Sequence, residues 1–470
     1  MKRFTSLLTL VLIISTTSLF AQKSDKDSRY DIGWDSLEFR SIGPAFTSGR
    51  ISDFAVNPDN HSEFYIATAS GGVWKTENGG ISLKPVFDNE GSYSIGFVAM
   101  DPNNHNVVWV GTGENNNQRS VAYGDGVYKS IDGGKSWKHM GLKNSEHIGM
   151  IEIDPRDSDV VYVAATGPLW SSGGDRGLYK TMDGGENWEK VLEISEHTGV
   201  NEVHMDPRDP DVLYATAHQR RRRVFTYISG GPESAVYKST DAGKTWKKTM
   251  RGMPNGDIGR IGMDISPANP DVIYASVEAE SGKSGFYRSD DRGESWEKQS
   301  NYSSSGNYYQ EVIADPVDVD LVYVMNTYSG VSEDGGKTFN NVGEKNKHID
   351  NHALWINPDN PSHLLNGNDG GVYESFDRGK TWRFFTNLPV TQFYKVAADN
   401  AEPFYNIYGG TQDNFTLGGP SRTNATTGIN DDEWFVTVLG DGFEPHVDPT
   451  NPNIVYAQSQ YGGLARFDKQ

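Results

Sequence analysis

The densest group of ionisable side chains in the sequence is His-Ile-Asp-Asn-His at residues 348–352, which leads into an apolar segment. If that segment begins a strand, alternate side chains face the same way, so His348, Asp350 and His352 share one face. Two imidazoles and a carboxylate suit a divalent transition metal, and they can also act as acid and base near neutral pH. The alternative is that they cap a strand end and bond to loop backbone. A divalent metal is therefore the one cofactor that the sequence indicates, and it stays an open prediction.

Three further aspartates lie beside glycine or amide residues in the last third of the chain. They are Asp369 in Asn-Asp-Gly-Gly, Asp413 in Gln-Asp-Asn and Asp441 in Gly-Asp-Gly. Together with Asp350 they would form a carboxylate group on one side of the molecule, and two carboxyl groups flanking a sugar are what a glycosidase needs. The alternative for each residue is capping of a turn by its side chain. We predict these four aspartates as the candidate catalytic residues.

A run of four arginines stands out in a chain whose formal net charge is −20. Guanidinium groups bind oxyanions bidentately, so the run can hold a uronate, a sulfate or a peptide carboxylate. The alternative is that it neutralises an acidic rim. An amide-rich loop lies at the corresponding place two repeats earlier, and amides bond to sugar hydroxyls or peptide backbone. The candidate ligand-binding residues of the two segments are Asn115, Asn116, Arg119, Arg220, Arg221, Arg222 and Arg223.

The elements that must position these side chains repeat along the chain. An eight-residue motif, Ser/Thr-x-Asp-x-Gly-x-Ser/Thr-Trp, is called the Asp box below. It occurs at residues 130–137, 181–188, 239–246, 289–296 and 375–382, with Phe last at 332–339 and with Asn78 for Asp at 76–83. Asp and Gly favour a tight hairpin turn, and the Trp supplies an apolar face for packing between neighbouring sheets. A period of 43 to 58 residues with one β-unit each is typical of a propeller.

A second repeated element gives the order of strands within each unit. An apolar strand precedes an Asp-Pro, Asn-Pro or Ser-Pro turn in eight places, and a degenerate ninth copy has Asp399-Asn400. The strand before this turn is the innermost of four, and the strand that the box Trp opens is the outermost. We predict an all-β β-propeller of four-stranded Asp-box blades, with seven to nine blade units.

The ends of the chain leave two arrangements open. Residues 37–42 resemble an outermost strand without its blade, and residues 462–468 resemble a third strand without a box. Either the N-terminal strand closes the ring, or the chain continues into a second propeller. The predicted divisions are a signal peptide at 1–21, a leader at 22–36, blades with boxes at 37–390 and blade units without boxes at 391–470.

Ligand sites in propellers usually lie where the innermost strands enter the central channel. Counting eight residues back from the turn prolines selects Arg50, His147, Asp350 and Asp441, and Arg260 lies beside another such position. Arg50, His147 and Arg260 are therefore candidate ligand-binding residues. The alternative is that the charged residues pair with one another, for example Arg50 with Asp441, because an unpaired charge in a narrow channel is costly.

Composition and the N-terminus limit the classes of binding partner and indicate where the protein is located. The negative net charge argues against nucleic acid and against anionic membrane surfaces, and the lack of cysteine excludes thiol chemistry. Residues 1–21 have the charged start, short apolar middle and small-residue end of a signal peptide, and the apolar run is too short to span a membrane. We expect an exported, soluble protein, periplasmic or extracellular, without a lipid anchor or membrane insertion.

The boxes, the Asp-Pro strands and the signal peptide together resemble the sortilin-like and glycosidase-like bacterial Asp-box (BNR-repeat) propellers over residues 34–470. That group is distantly similar to the tandem-propeller xyloglucanases, whose catalytic aspartates precede a Gly-Gly pair by two residues. The matching positions here are Ala69 and Gln460, and neither side chain can act as an acid or a base. The resemblance implies the fold much more strongly than the function.

Three functions are open at this point. The first is a secreted propeller that binds a peptide or a glycan at the channel mouth, which the residues at 69 and 460 favour. The second is a glycoside hydrolase that uses the channel-mouth carboxylates. The third is a structural or assembly module of an exported protein.

Overall fold

The Asp boxes form closely similar turns, and the box at residues 130–137 shows why. Ser130 Oγ accepts a hydrogen bond from the Gly134 main-chain nitrogen at 2.9 Å and donates to Asp132 Oδ1 at 2.9 Å. Asp132 also accepts hydrogen bonds from the main-chain nitrogen and the hydroxyl of Ser136. These bonds lower the pKa of Asp132 to about 2, and the bond from the hydroxyl has the largest effect. Gly134 has a φ of 85°, which favours glycine. The Trp137 indole donates to the Val86 carbonyl at 2.6 Å and so joins this sheet to the preceding one.

Each box connects the third and fourth strands of an antiparallel sheet in the computed structural model, which describes residues 39–117, 121–280 and 282–470. Sheet one contains β1 (Ile51–Val56), β2 (Phe64–Thr68), β3 (Val73–Thr76) and β4 (Lys84–Pro85). Sheet two contains β5 (Ile95–Met100), β6 (Val108–Thr112), β7 (Val127–Ser130) and β8 (Lys138–His139). Sheet three contains β9 (Ile148–Ile153), β10 (Val161–Ala165), β11 (Gly177–Thr181) and β12 (Glu189–Leu192).

Sheets four to seven follow the same order, except that sheet four carries an additional strand. Sheet four contains β13 (Thr198–Asp206), β14 (Asp209–Arg223), β15 (Thr226–Ser229), β16 (Ala235–Ser239) and β17 (Lys247–Lys248). Sheet five contains β18 (Ile258–Ile265), β19 (Ile273–Ala279), β20 (Gly285–Ser289) and β21 (Glu297–Ser300). Sheet six contains β22 (Val312–Ala314), β23 (Val322–Val324), β24 (Gly330–Ser332) and β25 (Asn340–Asn341). Sheet seven contains β26 (Asn351–Ile356), β27 (Leu364–Asn368), β28 (Gly371–Ser375) and β29 (Arg383–Phe384).

A cluster of buried apolar side chains fills the interface between each of these sheets and the next. Between sheets one and two, for example, Tyr65 and Val98 belong to one cluster. A seventh cluster joins sheet seven back to sheet one and contains Ile51 and Leu365. Seven sheets with seven such interfaces make a closed seven-bladed ring around the innermost strands. The predicted all-β propeller of four-stranded blades is confirmed.

The ring of seven sheets takes all its strands from residues 51–384. The predicted N-terminal closing strand would instead complete the blade at residues 462–468, and that arrangement stays a prediction. Sheet seven takes all four strands from β26–β29, so it needs no strand from elsewhere. Residues 39–42, the described part of the predicted strand at 37–42, carry no strand, and the signal peptide and the leader lie outside the described residues.

Two further sheets follow the ring. Sheet eight contains β30 (Phe393–Ala398), β31 (Asn406–Thr411), β32 (Thr416–Pro420) and β33 (Phe435–Val438). Sheet nine contains β34 (Pro445–Asp448), β35 (Asn451–Gln458) and β36 (Leu464–Asp468). The connection from sheet seven is buried, since Leu388 and Val390 belong to the cluster between sheets seven and one. Single 3-10 turns lie at Lys143–Ser145, Asp431–Glu433 and Gln460–Gly462, and no helix of the described residues is long and apolar enough to cross a membrane.

Candidate functional site

Asp350, Asp369, Asp413 and Asp441 line one cavity of about 680 Å³, which we call the acidic cleft. It lies where the inner ends of sheets one and seven meet the turns of sheets eight and nine. The other residues of its wall are Arg50, Glu114, Val121, Tyr308, Gln392, Tyr394, Gln412, Phe443, Gln460 and Tyr461. The sequence therefore places four acids, separated by up to 91 positions, in the same cleft.

Turns present these acids, and two of them have left-handed backbone geometry. Asp350 lies just before β26 with a φ of 65°, and Asp413 lies between β31 and β32 with a φ of 61°. Aspartate tolerates this left-handed region because its short side chain bonds locally. Asp369 lies in the turn between β27 and β28, and its carbonyl accepts a 2.8 Å bond from the Asn414 amide. This bond holds the Asp413 turn of sheet eight against sheet seven.

Arg50 and Asp369 form a buried ion pair at the base of the cleft. Arg50 Nε donates to Asp369 Oδ1 at 2.6 Å, and Arg50 Nη1 donates to Glu114 Oε2 at 2.9 Å. The Tyr308 hydroxyl donates to the other oxygen of Asp369 at 2.7 Å, and His352 Nε2 lies 2.9 Å from Asp369 Oδ1. Burial acts to raise the pKa of Asp369, but the Arg50 and His352 charges outweigh it and hold that pKa well below its usual range. Asp369 is thus a positioning residue for Arg50, and the predicted pair of Arg50 with Asp441 is not formed.

Asp413 has the opposite electrostatic character. Burial and the neighbouring Asp369 carboxylate raise its pKa, although Arg50 Nη2 lies 3.5 Å from its Oδ2. Its side chain is nevertheless 27% exposed and reaches the cleft. The Asp441 side chain accepts a bond from the Asp413 main-chain nitrogen and a 2.7 Å bond from Gln460 Nε2. Asp413 is therefore a carboxyl group that retains its proton at higher pH than usual, on a turn that Asp441 orients.

Asp350 offers a carboxyl group that is only partly engaged. The Tyr309 hydroxyl donates to Oδ1, and no other side-chain partner of Asp350 is found in the described ranges. Asp350 is half-buried, so its second oxygen is available to the cleft. Thr327 and Tyr309 hold Asp350 in place. The Thr327 carbonyl accepts a 2.9 Å hydrogen bond from the Asp350 main-chain nitrogen. The Thr327 hydroxyl donates a 3.2 Å hydrogen bond to the Tyr309 hydroxyl.

The predicted metal trio of His348, Asp350 and His352 does not converge. His348 Nδ1 lies 2.6 Å from the Ile349 carbonyl, and His352 is bound to Asp369. Across residues 39–117, 121–280 and 282–470 no group of three or more His, Asp or Glu could hold a metal ion. The prediction assumed regular alternation, but Asp350 is left-handed and β26 has an irregular register between Asn351 and Ala353. A metal at this trio is therefore wrong for the described structure.

The other predicted ligand-binding residues lie in several places. His147 is buried against the Glu114 carbonyl at 3.0 Å, and burial followed by the Arg220 charge lowers its pKa well below the usual range. Arg260 forms a 2.8 Å ion pair with Glu311. Asn116 bonds Glu114 at 2.9 Å. Asn115 lines a separate cavity of about 220 Å³ among the innermost strands. Arg119 lies outside the described residues. The four arginines at 220–223 form part of the β14–β15 hairpin.

The sequence analysis did not single out several residues of the cleft. Glu114 is buried and accepts bonds from Arg50, Asn116 and the Ala122 nitrogen. Tyr394 stacks on Phe443 with ring centroids 5.2 Å apart and planes 6° apart. A buried charge is costly unless it is paired, and this general expectation for Arg50 is the one signal that could have led to a partner such as Glu114. Nothing local marks Tyr394, because its role depends on a loop of the next sheet.

Comparison with known proteins agrees with this architecture. The Sortilin-Vps10 family model (sortilin, neurotensin receptor 3) matches residues 125–251. A probable oligoxyloglucan-reducing end-specific xyloglucanase of Neosartorya fischeri is 26% identical over 318 residues, which are 59% of this chain and 36% of that protein. The xyloglucanase Xgh74A of Acetivibrio thermocellus is 24% identical over 263 residues, which are 48% of this chain and 30% of that protein. The chain thus spans about a third of the length of these curated relatives.

Solved structures show the same fold. A GH74 enzyme from Niastella koreensis superimposes with a TM-score of 0.62 at 17% identity, over 91% of this chain and 66% of that one. The GH74 xyloglucanase of Xanthomonas campestris gives a TM-score of 0.59 at 15% identity, over 91% of this chain and 73% of that one. Ala69 is buried at the end of β2, and Gln460 lies in the cleft wall. The chain is therefore a sortilin-like and glycosidase-like β-propeller related to the xyloglucanases.

Proposed function

We propose that the acidic cleft binds a carbohydrate chain and hydrolyses a glycosidic bond within it. The observation that carries this proposal is that four aspartates from separate turns line one cleft of about 680 Å³. A glycosidase needs one carboxyl group that is protonated and a second that is not, on either side of the bond to be cleaved. The relationship to xyloglucanases supports a glycan as the ligand.

Asp413 is the general acid in this proposal, and Asp350 supplies the second carboxylate. The raised pKa of Asp413 keeps a proton available for the departing glycosidic oxygen. Asp350 has one oxygen held by Tyr309 and the other open to the cleft, so it can activate water or attack the sugar directly. Asp369 and Asp441 act indirectly, since Asp369 holds Arg50 and Asp441 holds the main chain of Asp413.

The wall of the cleft suits a sugar chain. The stacked Tyr394 and Phe443 rings, together with the exposed Tyr461, present apolar faces on which sugar rings can lie. The amides of Gln392 and Gln412 are donors and acceptors for hydroxyl groups.

Release of reducing sugar from a panel of neutral and acidic polysaccharides tests hydrolysis. We expect Asp413→Asn and Asp350→Asn to lower the rate by about 10²-fold or more, the usual contribution of a positioned acid or base. Asp432→Asn is the matched control, because Asp432 is exposed in a 3-10 turn of the same region and does not line the cleft. A folded wild-type protein that releases no sugar from any polymer would contradict the proposed hydrolysis.

The second candidate function is binding of a glycan or a peptide without hydrolysis. Ala69 and Gln460 favour binding without hydrolysis, because they occupy the positions that match the catalytic aspartates of the xyloglucanases that this sequence resembles. Affinity electrophoresis in the same polysaccharides, and fluorescence anisotropy with a peptide library, separate the two functions. Retardation without sugar release supports a binding propeller.

We also infer that the protein is exported and that sheets eight and nine are units of a second propeller. The signal-like residues 1–21 support export, and N-terminal sequencing of the secreted protein should begin at Gln22. Val396 of β30 and Leu464 of β36 are exposed apolar residues on strands of the kind that neighbouring blades cover within the ring. An experimental structure of the full-length protein in which these faces remain uncovered would contradict a second propeller.

A further inference from the structure

The β14–β15 hairpin brings the four arginines of the sequence to the edge of a second cavity. β14 extends past its sheet partner, and its last four residues pair with β15, Arg220 opposite Ser229 and Arg223 opposite Thr226. The cavity has a volume of about 280 Å³, and its wall includes His197, Gln219, Arg220, Arg221 and Arg223. This volume lies at the small end of ligand pockets, which suits a single sugar residue or another small group.

Arg220 is the least exposed of these arginines, and it forms no ion pair with an acid among the residues that the structure describes. Its side chain is 1% exposed, and it donates to the Asn116 carbonyl at 2.9 Å, the Gly167 carbonyl at 3.0 Å and the Thr166 hydroxyl at 3.1 Å. Its Nε has no hydrogen-bond partner. Burial, then the charges of Arg176 and Arg260, lower its pKa to about 9, so neighbouring cations oppose its charge. A buried cation in this setting is stabilised most by an anion.

The neighbouring arginines also form no ion pair with a described acid. Arg221 Nη1 lies 3.2 Å from His197 Nδ1, and its Nε is buried without a partner. Arg222 stacks over the Tyr227 ring at 3.8 Å. Within the ranges that the structure describes, no carboxylate oxygen lies within 4.0 Å of any nitrogen of Arg220, Arg221, Arg222 or Arg223. The run therefore forms no contact ion pair with a described acid, although the chain as a whole carries 20 excess negative charges.

We propose that the cavity beneath the β14–β15 hairpin binds a sugar-borne oxyanion, a uronate carboxylate or a sulfate ester, through Arg220, Arg221 and Arg223. All three arginines line the cavity, and guanidinium groups bind such anions bidentately. The carbohydrate part of this assignment rests on the proposed function of the acidic cleft.

A chain of hydrogen bonds connects the two sites. Arg220 binds the Asn116 carbonyl, the Asn116 amide binds Glu114, and Glu114 binds Arg50 in the wall of the cleft. Asn117 also donates to Tyr227 at 3.2 Å and to Ser229 at 3.0 Å, so the loop after β6 joins the hairpin directly. These bonds connect the anion site to the wall of the cleft, where an acidic glycan would bind.

Isothermal titration calorimetry with glucuronate, galacturonate and glucose 6-sulfate tests the site without requiring hydrolysis. Arg221→Gln combined with Arg223→Gln removes two cavity arginines and leaves the buried Arg220 in place. We expect the Kd of the sugar acids to rise at least tenfold, which corresponds to about 1.4 kcal/mol for charged hydrogen bonds. Arg222→Gln is the matched control, because Arg222 lies on the same strand but does not line the cavity. Its Kd should equal that of the wild type.

Three outcomes would overturn the proposal. These are equal binding of neutral glucose, equal binding of inorganic sulfate, and an unchanged Kd in the double variant. The Asp413→Asn variant separates this site from the cleft, because it should lose hydrolysis and keep the wild-type Kd for glucuronate. Sugar-acid binding in a protein that hydrolyses nothing would leave the anion site standing and contradict only the proposed hydrolysis.

Discussion

Asp441 accepts a hydrogen bond from the main-chain nitrogen of Asp413, so one acid of the cleft fixes the backbone that carries another. The two residues lie on turns of different strand pairs, β31–β32 and β33–β34. Asp441 also adds to the negative field around Asp413, after burial and Asp369. Under the proposed hydrolysis, Asp441 would affect the rate through Asp413 without itself transferring a proton.

The pH profile of hydrolysis should therefore respond to Asp441. A general acid must be protonated, so the rate falls as pH rises through the pKa of Asp413, which lies above its ordinary value of about 3.9. In Asp441→Asn the amide oxygen still accepts from the Asp413 nitrogen, but one negative charge is lost and the pKa of Asp413 falls. We expect the basic limb of kcat/KM to move to lower pH, while Asp432→Asn leaves it in place. An unshifted limb in Asp441→Asn would remove Asp413 as the acid.

The Arg50–Asp369 pair should contribute strongly to stability. Replacing one partner leaves the other charge buried, which costs about 3–5 kcal/mol. We expect Arg50→Met to lower the free energy of unfolding by that order in urea titrations. Arg251→Met is the control, because its ion pair with Asp291 is largely solvent-exposed and such pairs contribute about 0–1 kcal/mol. Equal losses in the two variants would contradict the role of Arg50 as the buried centre of the site.

Acids inside the ring should make stability depend on pH. Burial raises the pKa of Asp53 to about 8, that of Glu152 and of Glu311 to about 7, and that of Asp264 to about 6. Each folded value exceeds the unfolded value of about 4, so folding stabilises the protonated form. The stability that these four groups contribute is fully present below pH 4. It is lost as pH rises through their pKa values in the folded protein. These four groups therefore favour a lower melting temperature at pH 9 than at pH 6.

Asp53→Asn is the informative variant for this pH dependence. Asp53 accepts the Val98 main-chain nitrogen at 3.0 Å, a bond that an amide oxygen can also accept. Because Asp53 is half-buried, we expect the substitution to reduce the pH 6 to pH 9 loss by roughly 1–2 kcal/mol, less than the about 2.7 kcal/mol that a folded pKa of about 8 would give over this pH range. Calorimetric melting curves at the two pH values measure this change. An identical loss in wild type and variant would show that Asp53 does not titrate in this range.

Local patterns predicted the blades because their causes are local. The Asp box folds through bonds within eight residues, as Ser130, Asp132 and Ser136 show. The positions of the four cleft aspartates followed from the same repeats. The number of blades in the ring did not, because closure depends on packing between Ile51 and Leu365, which belong to opposite ends of the repeat series.

The ion-pair partners within the site could not be predicted from local sequence patterns, because they are also far apart in the sequence. Arg50 bonds to Glu114, 64 positions along the chain, and to Asp369, 319 positions along it. No pattern in the sequence favours Asp369 over Asp441 as its partner. The metal prediction at residues 348–352 assumed a regular strand, whereas the left-handed Asp350 ends that regularity. The left-handed Asp350 is fixed here by a bond from the Tyr309 hydroxyl and a bond to the Thr327 carbonyl, and both residues lie in loops of sheet six.

Closure of the ring can be tested at a glycine of the interface between sheets seven and one. A Cβ added at Gly367 would lie 2.7 Å from the Ile51 side chain, closer than packed carbon atoms allow. We expect Gly367→Ala to destabilise the protein by about 1–3 kcal/mol, the usual cost of overpacking a core. Gly49→Ala is the control, because its added Cβ would meet Val390 at 3.4 Å, which is ordinary contact. If urea titration gives the two variants equal stability, sheets seven and one do not pack as closely as the closed ring requires.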